Sequence, residues 1–437
     1  MTSRTLTSEL TEHIGKRVTV EGWLYKRRDL GALVFAVLRD RGGLVQIVIK
    51  DEAEQHKLEG LYAGTVLRVH GLAKAEPRAM GGVEIHEPTL EIVTPVEEVA
   101  PIEVDKPIDH NSENFDTLFE NRAVNLRNVK ELGIFRVQAA VGTAFREYCA
   151  GIGATEIHTP KLLAGATEGG AEVFKLNYFD QTATLAQSPQ FYKQMMVGSL
   201  ERVYEIGPVF RAEPSVTTRH MSEYVSMDLE VGFVDFDGLL KMTSELLRHI
   251  AATVWRDRAA ELEAWGAVKP VLTHELPRIT MAEAHRLYFE TTGEDHRDEL
   301  DLVPAEERWI CEYAAAELGS EAVFITEWPA ADMKFYHYAD PDQPHIAMRA
   351  DLLFRGVEIV TGSMREHRYD KLVEQLLRTG GDPEADGFKY YLSAFKYGMP
   401  PHGGLGMGLE RVTQLLLGLS NVKEASLFPR DTKRLTP

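Results

Sequence analysis

Residues 210–230 read FRAEPSVTTRHMSEYVSMDLE. Arg211, Arg219 and His220 stand close to Glu213, Glu223, Asp228 and Glu230, around a polar Pro-Ser-Val-Thr-Thr centre. The surrounding chain divides into strand (RVYEIGPVFRAE, 202–213), loop (PSVTTRH, 214–220) and strand (EYVSMDLEVGF, 223–233). Side chains two apart share one face of a strand. Arg211 therefore points with Glu213, and Tyr224, Ser226, Asp228 and Glu230 form a row. A solvated hairpin would explain these charges one at a time. A pocket that grips a polyanion explains them together: an arginine fork holds a phosphate through two bonds, Arg219 and His220 reach further phosphates, and Tyr224 offers a ring to a base.

Two other stretches share this chemistry. DLLFRGVEIVTGSMREHR (351–368) sets Asp351 and Glu358 seven residues apart, on opposite faces of an unbroken strand. A bend or bulge near Arg355–Gly356 would bring them together. Two carboxylates beside a triphosphate suit Mg2+, which prefers oxygen ligands. GGLGMGLERVTQLLLGL (403–419) begins with glycines and enters an amphipathic helix. Such a start exposes backbone N–H groups to an anion, although it lacks the Lys-Ser/Thr of a P-loop.

The chain has 437 residues, 44% of them hydrophobic. At ~150 residues per domain, that length suggests two or three folded domains. Net charge is −19, yet residues 16–50 carry eight Lys/Arg against three acids, a local basic face able to meet phosphate. The two cysteines, Cys149 and Cys311, make no zinc spacing and no disulfide framework, which fits a reducing cytoplasm. The start MTSRTLTSEL has no apolar h-region, so no signal peptide is expected. No apolar run approaches the ~20 residues that span a bilayer, and no membrane partner is expected.

Residues 17–95 read as about five short strands with one helical interval, DEAEQHKLEGL, which suits a Greek-key barrel of OB type. Such barrels stack nucleic-acid bases on aromatic side chains. Phe35 lies mid-strand beside Arg39, with Gln46 on the next strand, and alternation alone does not separate a stacking role from a core role. Residues 96–116 are rich in Pro and acids and show no period. The expected division is an OB-fold domain at 1–100, a hinge at 101–125 and a catalytic domain at 126–437. Beyond the hinge, helices and strands alternate irregularly, which favours an α+β fold on an antiparallel sheet.

Taken in order, these pieces resemble the three signature motifs of class II aminoacyl-tRNA synthetases. GIGATEIHTP (151–160) resembles motif 1, which builds the family's dimer interface; FRAE…RHMSEYVSMDLE resembles motif 2; GGLGMGLER (403–411) resembles motif 3. The likeness covers essentially the whole chain and is nearest to the compact archaeal type of aspartyl enzyme. The interval 235–345 is too short and too helical for the extra domain of typical bacterial aspartyl enzymes.

The resemblance implies substrates ATP, L-aspartate and tRNA(Asp), a Mg2+ requirement, a homodimer and a cytoplasmic site. It makes Arg211 and Arg411 the catalytic pair. ATP would meet Arg211, Ala212, Glu213, Arg219, His220, Met221, Tyr224, Glu358, Gly408, Leu409, Glu410 and Arg411, with adenine between Tyr224 and Arg411. Aspartate would meet Glu168, Gln190, Lys193, Arg211, Asp228, Thr361 and Arg365. Mg2+ would meet Asp351, Glu358 and Thr361, where the family usually has serine at the last position. The anticodon would meet Arg28, Phe35, Gln46, Pro77 and Glu84.

The nearest rival is an asparaginyl enzyme of the same fold. Lys193 argues against it, since a buried cation suits a carboxylate and is wasted on an amide. Asp228 stands where asparagine enzymes carry glutamate. A non-catalytic nucleic-acid-binding protein is a second rival, countered by the presence of Arg211, Glu358 and Arg411. Pro77, in AEPRAMGG (75–82), resembles the group that also charges tRNA(Asn).

Overall fold

The computed structural model describes residues 4–110, 115–165, 173–212, 214 and 217–437. They form two compact units, Met1–Leu132 and Gly133–Pro437. In the first, β1 (Arg17–Leu30), β2 (Leu33–Asp40), β3 (Gly43–Ile49), β4 (Val66–Ala75) and β5 (Val83–Thr94) close a barrel in the order β1-β2-β3-β5-β4. Helix α1 (Glu52–His56) joins β3 to β4, and the Asp51 carboxylate caps it by accepting from the Glu54 N–H at 3.1 Å. Alternation drives closure: Val34, Ala36 and Leu38 of β2 and Val45, Ile47 and Ile49 of β3 fill the barrel core. The intervening side chains, Phe35 among them, belong to the outer face.

The second unit is built on an eight-stranded sheet. Its strands are β6 (Thr155–Glu156), β7 (Arg202–Phe210), β8 (Glu223–Gly232), β9 (Arg278–Thr280), β10 (Ala322–Thr326), β11 (Arg349–Phe354), β12 (Val357–Arg365) and β13 (His402–Gly408). They lie in the order β9-β10-β11-β12-β13-β8-β7-β6, antiparallel throughout except for the edge pairs β9/β10 and β7/β6. Helices α2 (Val129–Gly151), α4 (Phe236–Asp257) and α9 (Leu409–Leu417) cover one face. There Ile134, Val137, Leu246 and Ile250 pack on Met227, Leu229, Leu405, Met407 and Leu352. Each fully buried apolar side chain contributes about 1.5–3 kcal/mol, so this face anchors the sheet.

Around the opposite face, α3 (Gln190–Leu200), α7 (Tyr369–Arg378) and α8 (Asp386–Phe395) share one apolar cluster. Helices α5 (Met281–Thr292) and α6 (Pro304–Glu317) share another with β10 and Leu353 of β11.

Three local expectations change. The strand expected at 202–213 ends at Phe210, so Arg211 leads the loop, and Glu213 lies outside the described residues. Asp351 and Glu358 sit on two strands of a hairpin rather than on one bent strand. The chain reverses at Arg355 (φ 49°) and Gly356 (φ 85°). A register shift opposite Leu352/Leu353 pairs Asp351 with Thr361 and Leu353 with Glu358. Finally, the glycine run 403–408 is a central strand, not a loop opening a helix. Glycine has a physical reason there. A Cβ on Gly404 would lie 1.9 Å from Glu230 Oε2 of the neighbouring β8.

Candidate active site

Alternation along β8 sends Met227, Leu229 and Val231 into the core and leaves Ser226, Asp228 and Glu230 on the other face. Across the ladder these pair with Gly408, Gly406 and Gly404. Bare glycines opposite charged side chains leave room above the sheet, where a cavity of about 660 Å³ opens. Arg211 and Arg411 both line it, with Gln190, Lys193, Tyr224 and Asp228.

One end of the cavity carries a buried ion array. Lys193, 2% exposed, donates to Asp228 Oδ1 at 2.9 Å and to the Leu405 carbonyl at 3.1 Å. It also lies 3.3 Å from Glu230. Arg365 Nε donates to Glu230 Oε1 at 2.8 Å. Burial opposes ionisation of Glu230, but Arg365 and Lys193 overcome it and hold the carboxyl below its usual value. Asp228 Oδ2 is buried and has no partner. Gln190 is held by Gln194 at 3.0 Å, and Gln194 is held in turn by Tyr391 and His402. Lys193 therefore does not wait as a lone cation: its charge is already shared by two carboxylates inside the protein.

The other end is richer in guanidinium groups. Arg211 lies 5.6 Å above the Tyr224 ring. Arg411 donates to the Glu358 carbonyl at 2.9 Å, and its guanidinium lies 3.8 Å from that carboxylate. Glu358 accepts from the Thr361 hydroxyl at 2.6 Å. Burial would raise the Glu358 carboxyl, yet Arg411, Thr361, Arg349 and Arg211 bring it below its usual value. Arg219 is tethered to Glu307 of α6 at 2.5 Å and to the Gly356 carbonyl at 3.0 Å. The His220 ring meets the Thr217 hydroxyl at 2.6 Å.

The oxygen donors fit a divalent ion only in part. Glu358 and Thr361 line the cavity, and Asp301 lies there too. Asp351 does not line it; both its oxygens are taken by Arg349, at 3.1 and 2.5 Å. Burial, with Glu358 and Asp301 nearby, pushes the Asp351 carboxyl up to about 7 despite that partner. Among the described residues no group of three His, Cys, Asp or Glu is placed to hold a metal. The set fits an ion that brings its own phosphate ligands, since Mg2+ is commonly held by one or two carboxylates plus phosphates and water.

Of the expected residues, Gln190, Lys193, Arg211, Arg219, His220, Met221, Tyr224, Asp228, Glu358, Thr361, Arg365, Gly408, Glu410 and Arg411 line the cavity. Leu409 does not; it packs in the core behind the sheet. Ala212 and Asp351 are also absent from the lining. Glu168 and Glu213 lie outside the described residues. Lining residues missed in the sequence include Ser188, Asp301, Lys334, Tyr336, His337 and Arg349. Apart from Ser188, which stands two residues before Gln190, they come from segments without a local motif. Among these, Arg349 alone carried a signal, standing two residues before Asp351 and so on its face of the strand.

On the barrel, two cross-strand rows occupy the outer face. Arg28 pairs with Phe35 and Phe35 with Val48; Val37 pairs with Gln46 and Gln46 with Glu84. Phe35 is partly exposed, and Gln46 donates to Glu84 at 2.7 Å. Pro77 is exposed in the β4–β5 connection.

Comparison with known proteins agrees with this geometry. Residues 114–432 match the family described as tRNA synthetases class II (D, K and N), and residues 18–93 match the OB-fold nucleic acid binding domain. The chain is 43% identical to the aspartate–tRNA(Asp/Asn) ligase of Thermus thermophilus, over 99% of this chain and 100% of that one. It is 39% identical to the aspartate–tRNA(Asp) ligase of Pyrococcus abyssi, over 98% of both. The asparaginyl-tRNA synthetase of Pyrococcus horikoshii, solved with asparaginyl-adenylate, superposes with a TM-score of 0.91 at 32% identity, covering 100% of both chains. With an OB-fold barrel followed by an antiparallel sheet under a cation-lined cavity, this chain belongs to the class II aminoacyl-tRNA synthetases of the D, K and N group.

Proposed function

We propose that this chain activates L-aspartate with ATP and transfers the aspartyl group to the 3′ end of tRNA(Asp), and also of tRNA(Asn). The carrying observation is the orphan oxygen of Asp228, a residue paired with Lys193, in the cavity that Arg365, Arg211 and Arg411 also line. The resting array of Asp228, Lys193, Glu230 and Arg365 is balanced. The α-ammonium of an amino acid offers Asp228 a new partner. As Asp228 turns to it, Lys193 is released toward a side-chain carboxylate, which Arg365 flanks. An amide would leave Lys193 and Arg365 to share Glu230 alone, one positive charge in excess in a buried site. This exchange favours aspartate over the asparaginyl reading.

In the first step an α-carboxylate oxygen attacks the α-phosphorus while the bond to pyrophosphate breaks. In the second, the terminal ribose hydroxyl takes the acyl group and AMP leaves. No general base is needed for the first step, because the attacking oxygen is already ionised. Arg211 supplies positioning and neutralises charge that builds on the α-phosphate. Tyr224 takes one face of adenine and Arg411 the other, with Glu410 at the same end. Mg2+ bound with the nucleotide would be held by Glu358, with Thr361 and Asp301 near, and supplies further charge neutralisation.

The division into 1–100 for anticodon binding, 101–125 as hinge and 126–437 for catalysis is part of this proposal. So are a homodimer through 151–160 and a cytoplasmic setting. Among the described residues no helix is long and apolar enough to cross a membrane. The test is pyrophosphate exchange into ATP with aspartate or asparagine, followed by charging of purified tRNA(Asp) and tRNA(Asn). Exchange with asparagine but not aspartate would reject the proposal; charging of tRNA(Asp) alone would narrow it.

A further inference from the structure

Arg349 has no part in the roles assigned above, yet it lines the same cavity. Three contacts fix it. Its Nε and Nη2 donate to the two oxygens of Asp351, at 3.1 and 2.5 Å. Its guanidinium carbon lies 3.9 Å from the centroid of the Trp328 ring. Trp328 is itself buried, and its indole N–H donates to the Ile325 carbonyl at 3.0 Å. A guanidinium clamped on one edge and stacked on one face keeps its remaining amino group for something else. Bidentate clamping and stacking also spare most of the rotamer entropy that a mobile cation would lose on meeting a ligand.

The neighbourhood indicates what that ligand is. Arg349 stands by Glu358 and Asp301, two of the oxygen donors open to a nucleotide-borne ion. A buried carboxylate, Asp351, is kept behind it as its counter-ion. A fixed guanidinium lining a cavity is suited to meet an anionic ligand. We propose that Arg349 is a phosphate-binding residue of this cavity, contacting the polyphosphate end of the nucleoside triphosphate and contributing affinity that does not depend on a divalent ion. This rests on the reading of the cavity as an ATP site.

The test is equilibrium binding of ATP, AMP and L-aspartate, measured separately, with chelator and with Mg2+. In chelator, Arg349→Met is expected to weaken ATP binding at least tenfold while AMP and L-aspartate bind as to the unaltered protein. Arg349→Lys keeps a charge but not the fork; it should recover part of the loss, and it covers the case in which the methionine variant does not fold. Unchanged ATP affinity in Arg349→Met overturns the proposal. So does a loss shared equally by AMP, or one confined to L-aspartate. If the unaltered protein binds no ATP with or without Mg2+, it is the ATP-site reading that falls.

Discussion

Lys193 Nζ lies 2.9 Å from Asp228 Oδ1, while the second oxygen of Asp228 is buried without a partner. A half-satisfied buried carboxylate is costly to keep, so its retention beside a substrate-sized cavity has meaning. Asp228→Asn should leave folding largely intact and reduce aspartate-dependent pyrophosphate exchange by about 100-fold or more, on the order of 3 kcal/mol of transition-state binding. Lys193→Met should act differently. It strands Asp228 and Glu230, and loss of one partner of a buried pair costs about 3–5 kcal/mol. Thermal melting separates the two: a large fall for Lys193→Met and a small one for Asp228→Asn.

The glycines of β13 offer a second contrast. A Cβ at Gly404 meets Glu230 Oε2 at 1.9 Å, whereas at Gly406 the nearest atom is Asp228 Oδ1 at 3.4 Å. Gly404→Ala must displace a carboxylate tied to Arg365 and should destabilise by roughly 1–3 kcal/mol or more. Gly406→Ala fits the sheet and should melt near the parent temperature. It places a methyl group on the cavity floor, so its defect should appear as a raised KM for the amino acid. Melting curves and steady-state exchange kinetics on the two variants check the pair.

Phe35 lies on the outer barrel face beside Arg28 and Val48. Stacking on a base is worth about 1–3 kcal/mol by alanine substitution. Phe35→Ala should therefore weaken tRNA charging by roughly 10- to 100-fold in kcat/KM, with pyrophosphate exchange unchanged. Equal loss in both assays would remove Phe35 from the RNA surface.

Glu410 provides a pH signature. Burial pushes its carboxyl up to about 7, against the Val225 N–H that lies 3.1 Å from each oxygen. The folded state thus holds a proton that the unfolded state has released between its ordinary value and about 7. Stability falls as pH rises through that window. Glu410→Gln, which cannot lose a proton, should flatten this slope and be more stable than the parent above pH ~7, by up to ~3 kcal/mol. Melting temperatures across that range would show it; parallel curves for both proteins would contradict the assignment.

How far the sequence reached depends on what each residue could signal locally. Row alternation along 223–232 named the face bearing Ser226 and Asp228, because apolar and polar side chains take turns there. The barrel was legible for the same reason, although only the structure places Phe35 outside rather than inside. The strand 402–408 was not legible, since glycine has no side chain through which a period can appear. Its requirement comes from Glu230 on a neighbouring strand, a contact across some 174 positions of sequence. The Asp351–Glu358 relation was half-visible: an odd spacing implied a break, but a hairpin and a bend leave the same trace. Asp301 and Lys334 lie in connections whose course is set by tertiary packing, and no motif marks them.

The tether between Arg219 and Glu307 makes that guanidinium a contested group. A side chain expected to meet phosphate is already neutralised in the resting chain, with the Gly356 carbonyl completing its partners. On the proposed reading, a nucleotide whose phosphates reach Arg219 competes with that acid, and one too short to reach it leaves the pair intact. The proposed site should therefore separate nucleotides by phosphate length at the binding step.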